Sequence, residues 1–318
     1  MFLLLLATMS AAEPAKPSKY QATVLREPAG DAYYHIAFAA EGFQAGEKAA
    51  FVRQVERLAD AIRVQPVFAK HTKQFKLSAV WVASKDSGAC QEAVWDAWEK
   101  EWKPQKTTRG TAFHSVYHLE RQTYKLTNFH AVRAAHAAAG WDVDVLVVLV
   151  NRAEFGGSAL CPGQVAVEAY WTHKDTARPF DYDAKKDEMP AGLVVMGLGD
   201  AGGLVVHELG HAVAGLGDEY VSTQKANLRE QNRQWAAYHP NVSDTPDRTK
   251  LKWKDLFGKD GVGAYEGAMD RAKGLYRPWD DGCLMGDRDQ RQRFCPVCER
   301  AIHQAIDKAA AAKGKSGN

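Results

Sequence analysis

The chain has 318 residues, 46% of them hydrophobic and 25% charged, a composition with enough apolar mass for one large domain or two modest ones. Its 41 basic and 39 acidic residues leave a net charge of +2 with no basic block, which argues against a nucleic-acid partner. No segment offers about 18 unbroken apolar residues, so no transmembrane helix and no stable membrane insertion is expected.

The start, MFLLLLATMSAAEPAKPSKY, holds an apolar run over residues 2–9 that is too short to span a bilayer, followed by the small residues Ser10, Ala11 and Ala12. It reads as a signal peptide over 1–12, although the charged residues that usually open one are missing. Residues 13–30 then form a mature N-terminal segment, and the protein is exported, to a bacterial periplasm or beyond.

Further along, apolar positions at helical spacing predict a helix over 46–62. Residues 75–84 alternate and predict a strand. Residues 124–139 read as a helix stopped by Gly140, and 144–150 (DVLVVLV) as a fully buried strand. A turn follows over 151–158, an edge strand over 164–171 and a short strand over 192–196. Gly202 and Gly203 lead into one more helix. After Tyr220 about sixty residues turn polar and irregular, which in a compact domain usually marks a cleft wall or a flexible loop. The tail from 311 to 318 looks frayed. Alternating helices and strands predict an α/β or α+β fold, a mixed sheet with helices packed on it. With no linker in view, residues 31–310 are expected to form one domain, with an N-terminal part (31–140) and a second part (141–310) that carries the histidine motif described next.

The chemistry concentrates in VVHELGHAVAGLGDEYVS at 205–222. His207 and His211 lie four apart, so on a helix both rings leave one face and can bind one Zn²⁺. Glu208, beside the first histidine, is placed to take a proton from a water that zinc acidifies. The H-E-x-x-H pattern is short and arises by chance. Here Val205, Leu209 and Val213 supply a second stripe to anchor the helix, and Gly215 and Gly217 end it where a third ligand must turn back. Catalytic zinc wants three protein ligands and an open position. Asp218, seven residues past His211, and Glu230, nineteen past, compete for the third. The sharp Gly-Leu-Gly turn favours Asp218; a helical QKANLREQNRQW would favour Glu230. Glu219 and Tyr220 are candidates to orient a histidine N–H.

Five cysteines stand at 90, 161, 283, 295 and 298. Three crowd near the C-terminus, which in an exported chain favours a disulfide with at least one thiol left over. Cys295-Pro-Val-Cys298 has redox-motif spacing but no strand ahead of it, and a structural zinc would need a fourth ligand that the local sequence does not offer.

HELGHAVAGLGDEY resembles the motif of the zinc metallopeptidases named after the bacterial IgA peptidase, relatives of the metzincin clan. EGFQAGEKAAF (41–51), VWVASKDSGAC (80–90), DVLVVLVNRAEFGGSA (144–159), HPNVSDTPDRTKLKWKDL (239–256), YEGAMDRAKGLYRPWDDGCLM (265–285) and FCPVCERAI (294–302) resemble the same family, so the likeness runs over roughly residues 30–305. It implies a zincin-like fold with an active-site helix, peptide-bond hydrolysis and one catalytic Zn²⁺ on His207, His211 and Asp218, with Glu208 as general base. It also implies a methionine turn at Met285. Metzincins proper carry their third ligand six residues after the second histidine, which here is Gly217, so the likeness is to an Asp-type family. Nothing points to an immunoglobulin-binding module.

Phe155-Gly156-Gly157-Ser158 is a candidate for pairing with extended substrate. Tyr265, Tyr276 and Arg277 are candidates for stabilising an oxyanion. The resulting expectation is an exported zinc endopeptidase acting on a peptide or protein. Two other readings stay open: a zinc hydrolase of a non-peptide amide such as a cell-wall linkage, and a non-catalytic, zinc-stabilised binding protein.

Overall fold

The computed structural model describes residues 19–96, 101–119, 122–162, 191–199, 201–221, 229–280, 282–286 and 293–316. Its main sheet has six strands. In chain order they are β1 (Gln21–Arg26), β2 (Tyr34–Glu41), β3 (Phe75–Trp81), β8 (Val145–Val150), β9 (Gly157–Leu160) and β10 (Gly192–Met196), arranged β1-β3-β2-β8-β10-β9. The central pairs β3·β2, β2·β8 and β8·β10 are parallel, and the two outer pairs are antiparallel. A second sheet of β4 (Cys90–Asp96), β5 (Glu101–Thr107), β6 (Ser115–His118) and β7 (Thr123–Leu126) has the order β5-β4-β6-β7. A hairpin joins β11 (Tyr265–Ala268) and β12 (Arg271–Arg277).

Buried parallel strands are apolar on both faces, and the sheet divides its residues accordingly. Ile36, Phe38, Val145, Val147 and Leu149 face one core with α1 (Lys48–Val64), α4 (Ala201–Ala214) and α6 (Pro296–Ser316). Ala37, Ala39, Leu146, Val148 and Val150 face another core with α3 (Phe129–Ala139) and the second sheet. In α1 the buried positions Phe51, Val55, Leu58 and Ile62 follow the helical period. Each such side chain contributes roughly 1.5–3 kcal/mol on burial. Two further helices, α2 (Pro66–Ala69) and α5 (Arg229–Tyr238), complete the described elements.

The mixed α/β architecture agrees with the sequence, and several details differ. Residues 124–126 belong to strand β7, because Tyr124 and Leu126 alternate inward with Lys125 outward. The helix starts only at Phe129, where the Asn128 side chain caps it by accepting from Ala131 N at 3.2 Å. Gly140 does end it. The segment set aside as a mature N-terminus contributes β1 to the sheet. The expected turn at 151–158 gives way at Gly157 to β9, which is the edge strand among the described residues; the edge strand expected at 164–171 lies outside them. The polar stretch after Tyr220 carries α5 and the β11–β12 hairpin. None of the five cysteines is disulfide-bonded, so the expected disulfide is not formed. Among the described residues no helix is long and apolar enough to cross a membrane.

His35 sits in central strand β2 at 0% exposure. Its ring bridges Ser78 Oγ (2.8 Å) and Asp142 Oδ2 (3.2 Å), with Asp142 also held by Lys76 and Asp144 by Lys313. Burial pushes the His35 pKa down to about 4 against the partial opposition of Asp142. The folded state therefore binds this proton later than the unfolded chain. The stability that the neutral ring contributes is complete above about pH 6.5 and is lost as pH falls toward about 4, on the order of 3 kcal/mol in all. Urea unfolding over that window is expected to show this loss, and His35→Gln to flatten it; equal slopes would refute the assignment.

Candidate metal centre

Helix α4 carries the histidines and is the most enclosed helix described. Leu204, Val205, Val206, His207, Glu208, Leu209, Gly210, Ala212 and Val213 are all buried. It packs on β9 and β10 and lies against α1 and α6. Beneath it, a Cβ at Gly210 would stand 2.6 Å from the Met285 sulfur, so the helix rests directly on Met285, itself fully buried.

The helix ends in a left-handed cap: Gly215 has φ +63° and donates its N–H to His211 O at 2.9 Å. The chain then folds back over the helix's last turn. Gly217 is needed there for space, since a Cβ would meet the Met269 sulfur and Val242 at 2.8 Å. Buried Asn241 clamps that residue, accepting from Gly217 N (2.7 Å) and donating to Gly217 O (2.8 Å).

This return brings Asp218 to the two imidazoles. His207 Nδ1 faces Leu284 O at 2.8 Å, and His211 Nδ1 faces Leu216 O at 2.6 Å. A carbonyl only accepts, so each Nδ1 carries a proton, and in the neutral ring each Nε2 presents a lone pair. Those two Nε2 atoms lie 3.2 Å apart, and Asp218 Oδ1 lies 3.4 and 3.2 Å from them. Three electron-rich atoms thus converge on one point, the arrangement of a metal-ligand set. Burial opposes charge on Asp218, yet the imidazoles hold its carboxyl well below the usual range. Burial likewise opposes charge on His211, and Asp218 with Glu208 lifts its pKa to about 9. The pocket is built to stabilise positive charge, so the residues fit a divalent cation.

Glu208 lines the same cleft of about 400 Å³, together with Tyr220, Tyr238 and His239. A Cβ at Gly157 of β9 would lie 2.6 Å from Glu208 Oε1, so the carboxylate reaches the backbone of the edge strand. The Tyr220 phenol is pushed far up by burial and then by the charge of Asp218.

The other sequence candidates fall elsewhere. Glu230 lies in α5, and its side chain is outside the described residues. Tyr276 pairs through its backbone with Ser243 and is not among the residues lining the cleft. Arg277 is spent on the carbonyls of Glu266, Gly267 and Trp279, and Tyr265 on Gly261 O. Glu219 does not orient a histidine: it accepts from Asn241 at 2.9 Å and faces the cysteines, while carbonyls hold both rings. Sequence reasoning missed Asn241, Tyr238 and His239. His239 Nδ1 meets Gly215 O at 2.7 Å, a backbone contact that no ligand spacing announces.

The family model described as IgA Peptidase M64 matches residues 199–261 and 257–306, the stretch that contains α4, the return turn, the hairpin and the start of α6. The resembling segments at 41–51, 80–90 and 144–159 lie outside that match. No curated protein matches the chain. The peptidase signature thus falls on the residues that build this cleft, and over residues 199–306 the chain is similar to the IgA peptidase M64 family.

Proposed function

We propose that the protein is an exported zinc endopeptidase whose site is the cleft around His207, Glu208, His211 and Asp218. The observation that carries this reading is the convergence of two histidine Nε2 atoms and one buried carboxylate oxygen beside a second, non-ligating carboxylate. His207, His211 and Asp218 would hold the ion, and nitrogen with oxygen ligands in a three-residue set suits zinc. When bound, the ion supplies a Lewis acid that acidifies water and polarises a substrate carbonyl.

The protein's own residues do the rest. Glu208 accepts a proton from the attacking water and returns it to the amine nitrogen as the peptide C–N bond breaks. Strand β9 pairs with β10 on one side only among the described residues, so its other edge offers backbone groups to an extended peptide. A peptide docked there passes the Glu208 carboxylate, which adjoins Gly157. Tyr220 and Tyr238 line the cleft with phenol groups able to donate to a developing oxyanion. Met285 beneath α4 acts as the apolar floor of the ligand set, in the manner of a methionine turn. The catalytic unit is residues 31–310.

The reading is tested by incubating the full chain with a complex peptide library and reading new termini by mass spectrometry. Termini are expected from the wild type and to vanish with a chelator. Glu208→Gln is expected to lower turnover by about 10²–10⁴-fold while the metal content stays unchanged. Products from a cell-wall digest but not from peptides would shift the assignment to a non-peptide amide. Metal bound without any hydrolysis would leave a binding protein.

Gly157→Ala provides a finer check. The three atoms nearest the added methyl all belong to Glu208 (Oε1 2.6 Å, Cδ 3.0 Å, Cγ 3.1 Å), so the substitution displaces the carboxylate. A fall in kcat of roughly 10–100-fold at unchanged Tm is expected. Unaltered kcat would mean that Glu208 does not act from this position.

A further inference from the structure

A second cluster lies on the far side of the return turn. Asp218 points to the histidines, and its neighbour Glu219 points the other way, into a pocket formed by Cys283, Cys295 and Cys298. All four residues are buried, Cys295 and Cys298 completely. One ligand atom from each lies within 4.8 Å of the others. Glu219 Oε1 is 3.1 Å from Cys298 Sγ and 3.8 Å from Cys295 Sγ, and Cys283 Sγ is 4.0 Å from Cys298 Sγ. A tetrahedral site with bonds of about 2.3 Å separates its ligands by about 3.8 Å, so these spacings need only small adjustment around an ion.

Two more observations point to a ligand. Glu219 Oε2 is buried with no hydrogen-bond partner, although the residue is only 3% exposed. A desolvated carboxylate oxygen with nothing to accept from is costly. The backbone also serves the sulfurs as acceptors: Cys295 N donates to Cys283 Sγ and Cys298 N to Cys295 Sγ, each at 3.4 Å. Such donors stabilise thiolates, and Cys295 and Cys298 flank the start of α6, where the helix dipole favours negative charge.

We propose that Glu219, Cys283, Cys295 and Cys298 bind a structural zinc ion, separate from the His207–His211–Asp218 set. Four protein ligands leave no open position, which marks a structural and not a catalytic site. Binding releases the thiol protons to solvent. The ion ties together the return turn, the segment under α4 and the first turn of α6. It thereby fixes the residue next to Asp218 and the stretch that supplies Leu284 O to His207.

The test counts metal in the purified full chain by mass spectrometry, beside His207→Ala/His211→Ala and that double variant with Cys298→Ser added. The double variant is expected to keep about one zinc per chain, resistant to a chelator and released by a thiol-modifying mercurial. Replacement by Co²⁺ is expected to give the near-ultraviolet absorption of thiolate–cobalt bonds, which Cys298→Ser removes. A double variant that stays folded by near-ultraviolet circular dichroism yet holds no metal overturns the proposal, as does a wild-type mass under denaturing, non-reducing conditions showing a disulfide among these cysteines. If wild type and double variant hold the same single thiolate-bound ion, this site stands and the histidine site falls.

Discussion

Two hydrogen bonds from imidazole to backbone carbonyl set up the chemistry of this protein. His207 Nδ1 is committed to Leu284 O, and His211 Nδ1 to Leu216 O. Each bond fixes a tautomer and a ring direction at once, leaving a lone pair on each Nε2. Bringing two lone pairs to 3.2 Å and adding a buried carboxylate is unfavourable unless positive charge sits among them. The rest of the fold supports this arrangement by holding Leu284 and Leu216 in place.

The support comes from both ends of the return turn. Leu216 is positioned by the left-handed Gly215 cap and by Asn241, whose side chain grips both backbone groups of Gly217. Leu284 is positioned by Met285, which packs under Gly210 and accepts from Glu219 N through its own carbonyl. Leu284 N in turn donates to Arg293 O, tying the segment to the approach to α6. One short turn therefore connects the histidines, the cysteines and the polar region that follows, and adjacent acidic residues serve opposite sides of it.

The sheet explains why the cleft lies where it does. Parallel strands buried on both faces form a rigid centre, and α4 lies across β9 and β10 at one end of the strand order. The edge strand is the one place where the sheet's backbone comes beside Glu208, and only glycine at 157 leaves room for the carboxylate. In the proposed mechanism, substrate pairing, base position and sheet edge become one geometric problem.

Local features are legible from the residues alone. The strands at 145–150 and 192–196 are legible as short apolar runs. The helix at 201–214, with two histidines on one face, follows from four-residue spacing and a terminal glycine. The Gly-Leu-Gly turn limits how far the chain can travel, and Asp218 accordingly lies beside both histidine rings. Other assignments failed where tertiary context overrides local pattern. Residues 124–126 pair as a strand because a second sheet awaits them. The cysteines lacked a fourth partner in their own neighbourhood because Glu219 is supplied from 64 residues before Cys283. Contacts made through backbone carbonyls, such as those of Leu284 and Gly215, leave no trace in residue type, since every residue carries a carbonyl. Only the folded chain decides which of them a histidine finds.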